Sequence, residues 1–222
     1  MIVLGIETAT SVCSAGLAAD QKFLAEFRMA RKYSHAEQLA EMVMNVCDSS
    51  GIQLRDLDGI AVSGGPGSFT GLRIGMAYAK GLAFGLEVPL ISVPTPDSIV
   101  FALPPLTQMA CVLLTARQGE AYRGIYRWKK NRWEPVQAFD TVRKETIWDG
   151  LSADSVMFVG DGIRIFQEIL AVDSRSHLMN SSRFLPGGYA VAQLGSDRLM
   201  NGQGPDLDEM VPNYIKRFKG FA

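Results

Sequence analysis

"SGGPGSFTGLRIG", residues 63–75, places glycines and a proline between an apolar run and a long apolar segment. This pattern predicts a strand that turns sharply into a helix. Glycines there allow positive φ angles and close approach to the backbone, and the N–H groups that begin the helix can bind an anion. Because neither GxxxxGK[ST] nor GxGxxG is present, two interpretations stay open: a phosphate-binding loop, or a turn that must pack closely.

The segments around this turn alternate in a recognisable order. Residues 1–95 read β-β-β-α-β-α-β, which is typical of a ribonuclease-H-like subdomain, and the opening hairpin matches the phosphate hairpin of actin-like ATPases. We expect strands at 2–10, 11–20 and 22–30, a helix at 34–50 capped by Ser34 with Glu37, a strand at 57–65, a helix at 68–87 and a strand at 88–94.

The second half repeats this pattern in part. It reads as a strand from 109, a period-2 strand at 121–128, a strand and Gly-rich turn within 153–166, and a helix at 189–202. The proline-rich stretch 94–106 is the candidate boundary. The pattern therefore predicts an α/β fold class, with a ribonuclease-H-like subdomain at 1–103 and a partial repeat of it at 104–222.

Composition argues against several classes of protein. The 222 residues carry a net charge of −1, so no global basic field points to nucleic acid or a membrane. The three cysteines include no CxxC pair, and so sparse a set fits a reducing compartment. No signal peptide and no apolar run long enough to span a bilayer is present. We expect a cytoplasmic protein without membrane contact.

Few side chains combine into recognisable catalytic chemistry. Glu7 ends the first apolar run, where a carboxylate could hold a metal-bound water, and Asp161 is the candidate second carboxylate. The alternative for Glu7 is a capping or turn residue. His35 and His177 are the only histidines and lack the spacing of a metal pair, and no G-x-S-x-G elbow exists. We therefore predict no catalytic residue and no metal site.

The two helices of the first half carry more apolar surface than one small core requires. On the second helix, Gly71 and Gly75 leave a small-residue strip that another helix could approach, with burial in the core as the alternative. Met-rich faces suit adaptable contact surfaces. On the first helix the apolar face comprises Leu39, Met42, Val43 and Val46, extended by Ala36, Ala40, Met44 and Cys47.

Basic and aromatic residues interleave in two places, "RWKKNRW" at 127–133 and "YIKRFKGF" at 214–221. Such stretches suit RNA phosphates and base stacking. The first also reads as a solvated hairpin, and the second as a tail that orders on binding.

The strings "GIETAT" (5–10), "SGGPGSFTGLRIGMAYAKGLAFG" (63–85) and "RQGEAY" (117–122) resemble the TsaB (YeaZ) family over the whole chain, most densely at 1–100. The resemblance implies an actin-like ATPase (ASKHA) fold with two ribonuclease-H-like subdomains, at 1–103 and 104–222. It also implies a non-catalytic subunit that heterodimerises with the paralogue TsaD, and a homodimer when alone. TsaD transfers the threonylcarbamoyl group to N6 of adenosine 37 in ANN-decoding tRNAs, with TsaC and TsaE completing the pathway. No cofactor is expected on this chain itself; ATP at the level of the complex and tRNA contact through the complex are compatible with the resemblance.

Two features depart from the catalytic relative or from the family pattern. The stretch "PTPDSIVFA" (94–102) lacks the His-x-x-x-His metal pair that TsaD carries there, and Thr115 stands where the family usually has Asp. The second leaves any role of that carboxylate in doubt. The alternative function is an independent ATP-binding or ATP-hydrolysing enzyme. TsaD-like proteins have also been called glycoproteases, but no motif in this sequence supports proteolysis.

The candidate site residues form two sets. The family's TsaD-facing helices and the apolar faces give the partner-binding set His35, Leu39, Met42, Val43, Val46, Thr70, Arg73, Ile74, Ala77 and Lys80. The turn gives a vestigial phosphate loop of Glu7, Thr8, Gly64, Gly65, Gly67 and Ser68, whose main role is to set the angle of the second helix.

Overall fold

A computed structural model describes residues 1–30, 35–117, 119–152, 154–180, 183–203, 210–213 and 215. Within it the chain divides into two compact units. The first comprises Met1–Ser98 with Pro186–Pro212, and the second is built mainly on Ile99–Leu185. Residues 186–212, which belong to the second subdomain in the sequence prediction, thus lie in the first unit.

A five-stranded mixed sheet forms the first unit, with the strand order β3-β2-β1-β4-β5. The pairs β1–β2 and β2–β3 are antiparallel, while β4 runs parallel to β1 and to β5. This is the predicted β-β-β-α-β-α-β order. Its elements are β1 (Ile2–Glu7), β2 (Val12–Ala19), β3 (Lys22–Ala30), α1 (His35–Ser50), β4 (Gly59–Gly65), α2 (Phe69–Leu86) and β5 (Leu90–Pro94).

Helices cover both faces of this sheet. Successive strand side chains point to opposite faces, so Leu4 and Ile6 pack with α1 and α2, whereas Val3 packs with the last helix, α5 (Gly188–Met200). The sequence predicted α5 as a helix, but its packing on the first sheet was not anticipated. The predicted cap Ser34 and the 214–221 tail, apart from Ile215, lie outside the described residues.

The second sheet repeats the strand order of the first. Its order β11-β10-β6-β7-β8 has the same alternation of parallel and antiparallel pairs, and β9 pairs with β7 beside it. The sequence did not indicate α3, β9 or β11, whereas β8 is the second strand of the hairpin that was one interpretation of 127–133. The remaining elements are α3 (Thr95–Val100), β6 (Met109–Thr115), β7 (Ala121–Lys129), β8 (Arg132–Pro135), β9 (Asp140–Val142), β10 (Val156–Val159), α4 (Ile163–Leu170) and β11 (Ser176–Leu178).

No helix within the described ranges combines the length and the apolar character that crossing a bilayer requires.

Candidate functional site

The turn between β4 and α2 forms where the sequence places it. Gly65 ends β4 with a φ of 104°, a conformation that favours glycine. Ser68 is the N-cap of α2, and its hydroxyl accepts a hydrogen bond from the Gly71 N–H at 3.2 Å. Gly64 packs so tightly against the Ser92 side chain of β5 that a Cβ there would overlap it. These contacts fix where the helix starts.

The turn between β1 and β2 packs directly against the start of α2. The Ser68 N–H donates to the Ala9 carbonyl at 2.6 Å, and the Thr8 hydroxyl donates to the Gly71 carbonyl at 2.8 Å. A Cβ on Gly67 would overlap Ala9, and one on Gly71 would overlap the Thr8 carbonyl. The glycines therefore make room for the chain's own backbone, so the geometry favours the packing turn over the phosphate loop.

Glu7 hydrogen-bonds within this turn, which is the turn-residue role that the sequence left open. Its carboxylate accepts a hydrogen bond from the Ala9 N–H at 2.7 Å through Oε1. The side chain is fully buried, and this loss of solvation raises the pKa of Glu7 to about 7, against the nearby Ser63 hydroxyl and the Ala9 N–H, which lower it. Among the described residues, no group hydrogen-bonds Oε2.

His35 completes the set of contacts around the β1–β2 turn. Its ring Nε2 lies 3.0 Å from the Thr10 carbonyl, which fits an Nε2–H donor. The predicted loop residues and His35 thus meet at one place, although the sequence analysis assigned His35 to a partner surface. Ala9 and Thr10 were missed; the small side chains of "TAT" (8–10) beside a Gly-rich turn were the available signal.

Four of the predicted partner-binding residues lie in the core of the first unit. Burial in this fold leaves their side chains unavailable to a partner, and this corrects the sequence interpretation. The apolar face of α1 was wide because it packs on the sheet and on α2 together. The four are Leu39, Met42, Val43 and Val46.

The small-residue strip of α2 is corrected in the same way. A Cβ on Gly75 would overlap the Thr8 hydroxyl, so Gly71 and Gly75 face the β1–β2 turn and not another protein. The opposite side of α2 is open. Ala77 and Gly81 are exposed there, and a Cβ added to Gly81 would meet nothing within 4 Å.

Exposed positions on the two helices adjoin one another. Ala36, Ala40 and Met44 are four residues apart and share one side of α1. The next residue on that side, Cys47, is buried in the hydrophobic cluster against which Tyr78 of α2 packs. We call the combined patch the α1–α2 surface; it comprises Ala36, Ala40, Met44, Ile74, Ala77, Gly81 and Phe84, of which Ile74 is half-buried. The predicted residues Thr70 and Arg73 are exposed beside it, and Lys80 is half-buried.

The second unit has an equivalent junction. Asp161, in the turn from β10 to α4, accepts a hydrogen bond from the Thr115 N–H at 2.9 Å. The Gly162 N–H donates to the Leu113 carbonyl at 2.9 Å. Asp161 thus holds the end of β6 within the second unit, whereas Glu7 belongs to the first. Within the described ranges, no three His, Cys, Asp or Glu side chains group as metal ligands would.

Comparison with known proteins agrees with this architecture. Residues 28–194 match the family model "TsaD: tRNA N6-adenosine threonylcarbamoyltransferase". The chain is 28% identical to the tRNA threonylcarbamoyladenosine biosynthesis protein TsaB of Escherichia coli strain K12, covering 97% of this chain and 95% of that protein. It is 24% identical to TsaB of Bacillus subtilis strain 168, covering 97% and 94%.

A solved structure shows the same fold. YeaZ from Pseudomonas aeruginosa superposes with a TM-score of 0.85 at 24% identity, covering 96% of this chain and 99% of that one. The two sheets with one repeated strand order are those of the actin-like ATPase fold, as the sequence predicted. The chain belongs to the TsaD family, and within it resembles the TsaB (YeaZ) proteins over nearly its whole length.

Proposed function

We propose that this chain serves tRNA threonylcarbamoyladenosine biosynthesis as a non-catalytic subunit that binds TsaD through the α1–α2 surface. The proposal that the subunit is non-catalytic rests on the hydrogen bond from the Ser68 N–H to the Ala9 carbonyl. A helix N-terminus that binds phosphate needs its first N–H groups directed at the ligand. Here the chain's own turn takes that position.

Exposed apolar and small side chains on α1 and α2 support the proposal that this surface binds TsaD. Phe84 is 80% exposed, and Met44 is 47% exposed. Small residues next to them, such as Gly81, allow another helix backbone to approach closely. Because the chain belongs to the TsaD family, its partner has a related fold and can present an equivalent helix pair. Two such pairs would pack as a nearly symmetric four-helix interface, and the same surface would pair two copies of the isolated chain.

Substitution of Gly81 tests this proposal. Gly81→Arg places a long charged side chain on the α1–α2 surface, at a position where an added Cβ meets nothing within 4 Å. We expect loss of the one-to-one complex with TsaD from the same organism, measured by light scattering on a sizing column. Threonylcarbamoyl transfer to tRNA in the reconstituted system should fall with it.

Val172→Arg is the matched control, because Val172 is 84% exposed and belongs to the second unit. It should leave the complex intact. If Gly81→Arg binds TsaD as the wild type does, the α1–α2 surface is not the interface. If the wild-type chain stays monomeric with TsaD and binds ATP by itself, it is an independent nucleotide-binding protein.

A further inference from the structure

We propose that the β7–β8 hairpin of the second unit is an RNA-backbone contact, in which Lys129, Lys130 and Arg132 bind tRNA phosphates. This inference rests on the proposed function, because tRNA is the polyanion that a threonylcarbamoyladenosine complex must hold.

The hairpin separates its charged and aromatic side chains onto two faces. Residues directly opposite each other in an antiparallel pair share a face, and the register pairs Lys129 with Arg132 and Trp128 with Trp133. Lys129, Lys130 and Arg132 are exposed. The two indole rings pack edge to face at 5.2 Å on the other side. The cations are therefore presented together, away from the aromatic pair.

The aromatic face anchors the hairpin to the core of the second unit. Trp133 packs against the buried cluster that includes Tyr126, and its Nε1–H donates to the Leu103 carbonyl at 3.1 Å. Half-buried tryptophans in this position are not free to stack on bases. The stacking role that the sequence suggested for this stretch is thereby replaced by a purely electrostatic one, on a rigid support.

The charges at the tip are unbalanced. Among the described residues, Lys129 and Lys130 have no ion-pair partner, and Arg132 pairs only with Glu134, at 2.8 Å. The hydrogen bond from Arg132, followed by the charges of Arg132, Lys130 and Lys129, lowers the pKa of Glu134. One carboxylate thus faces three exposed cations, on a chain whose net charge is −1.

The pairing of Lys129 with Arg132 opposes stability, because like charges directly across a strand pair repel. A local conflict of this kind is expected where a ligand relieves it. Charged edge strands also protect a sheet from aggregation, and β8 is an edge strand. A row of phosphates satisfies both lysines and the arginine at once, whereas edge protection does not require two cations opposite each other.

Phosphate contacts position an RNA without reading its sequence. The expected role is therefore to hold the body of the tRNA while the partner subunit acts on the adenosine. Each lost cation–phosphate contact should lower the slope of log Kd against log salt by about 0.7–0.9.

The test replaces the three cations by glutamine, K129Q/K130Q/R132Q, and measures binding of an unmodified tRNA with an ANN anticodon. Fluorescence anisotropy is recorded for the chain alone and for its complex with TsaD, at several salt concentrations. We expect Kd to rise about tenfold near 0.1 M salt and the salt slope to fall by about two. The loss should be the same for tRNAs of other sequence.

The matched control is K22Q/R55Q/K144Q, which removes the same charge from exposed positions outside the hairpin. It should change Kd less than twofold. Thermal unfolding of the hairpin variant should be unchanged or shifted upwards, since the repulsion between residues 129 and 132 is removed. A lower unfolding temperature would mean that these side chains are structural.

Other outcomes overturn the proposal separately from the proposed function. If the hairpin variant binds tRNA like its control, the cations only protect the edge of β8. If it loses TsaD on the sizing column, or loses phosphatidylserine vesicles while keeping tRNA, the hairpin contacts a protein or a membrane. If the wild-type chain forms no TsaD complex, the proposed function fails, while tRNA binding by the chain alone still decides the role of the hairpin.

Discussion

The Ser68 N–H donates to the Ala9 carbonyl at 2.6 Å, so the start of α2 is closed by the turn between β1 and β2. The Thr8 hydroxyl adds a second bond to the Gly71 carbonyl, one turn into the helix. Together these bonds set the direction of α2, the helix that carries half of the α1–α2 surface. A Gly-rich loop can thus serve docking by orienting a helix, without holding a phosphate.

Substitution of glycines on the two sides of α2 separates packing from helix propensity. Gly71→Ala places a Cβ against the Thr8 carbonyl, and we expect it to lower the free energy of unfolding by about 2–3 kcal/mol. Gly81→Ala has open space around it and should raise this free energy by about 0.5–1 kcal/mol through helix propensity. Urea unfolding of both variants measures the difference. Equal effects would show that the β1–β2 turn does not constrain α2.

The order of strands and helices in the first unit followed from the sequence, because alternation and turn residues are local signals. Whether an apolar side chain packs in the core or lies on a partner surface is not set by local sequence. Leu39 and Gly75 were assigned to a partner surface because a helix that is apolar on most sides can face either a partner or its own sheet. In the structure Leu39 packs in the core of the first unit, and Gly75 faces the β1–β2 turn. Only the contact partners distinguish them from Ala77, which lies on the same helix as Gly75 and is exposed.

The loop between β4 and α2 could be predicted only in part, for a related reason. Gly65 could be recognised, because a strand that turns into a helix needs unusual backbone angles. The contact of the loop with Ala9 could not be predicted, since Ala9 makes it through its backbone carbonyl, which every residue has. The packing of α5 against β1 could not be predicted either, because a helical sequence pattern does not indicate which sheet the helix covers.

Buried Glu7 predicts a pH-dependent stability. Burial raises the pKa of Glu7 from 4.5 to about 7, so the folded protein keeps this proton to a higher pH than the unfolded chain. Unfolding then releases a proton between these two values, and the free energy of unfolding falls as pH rises through that window. The stability that protonated Glu7 contributes is on the order of 3 kcal/mol; it is fully present below the unfolded pKa and fully lost above the folded pKa.

Glu7→Gln removes this titration and should flatten the stability profile between pH 4.5 and 7. Urea unfolding at several pH values measures it. Glu41→Gln is the control, because Glu41 is exposed on α1 and should keep the wild-type slope. If the two variants have parallel profiles, Glu7 is ionised in the folded protein across the whole range.

Arg123 ties a loop of the second unit to its sheet. The buried guanidinium binds both carboxylate oxygens of Asp140, at 3.0 and 2.6 Å, and its Nη1 donates to the carbonyls of Thr146, Ile147 and Asp149. Arg123→Met leaves these carbonyls without their donor and should cost about 3–5 kcal/mol of unfolding free energy. Asp140→Asn should cost only about 1 kcal/mol, since Asp140 is partly solvated and the carbonyl bonds remain.

Lys144→Met is the control for Arg123→Met, because the Lys144–Glu168 pair is exposed at 3.7 Å. Its effect should stay within about 0.5 kcal/mol. Chemical denaturation of the three variants gives the comparison. An Arg123→Met cost no larger than that of Asp140→Asn would show that the carbonyl contacts contribute nothing.

The packing of α5 predicts that residues 1–103 alone do not fold. Val3, Ala61 and Val93 are buried on the sheet face that Val191 of α5 covers. Without α5 this face is exposed, and each such side chain loses about 1–3 kcal/mol of burial. We expect residues 1–103 to be insoluble or to unfold without a cooperative transition in circular dichroism.

Joining residues 1–98 to 186–212 through a flexible linker of about 15 Gly and Ser residues should restore cooperative unfolding, because it returns α5 to its sheet. The same fusion with Gly188→Leu should not fold, since a side chain there would overlap the Gly16 backbone of β2. If residues 1–103 unfold cooperatively by themselves, α5 is dispensable and the first unit ends where the sequence placed its boundary. If only the fusion does so, residues from both ends of the chain form one folding unit, and the β1–β2 turn that orients α2 depends on the helix behind it.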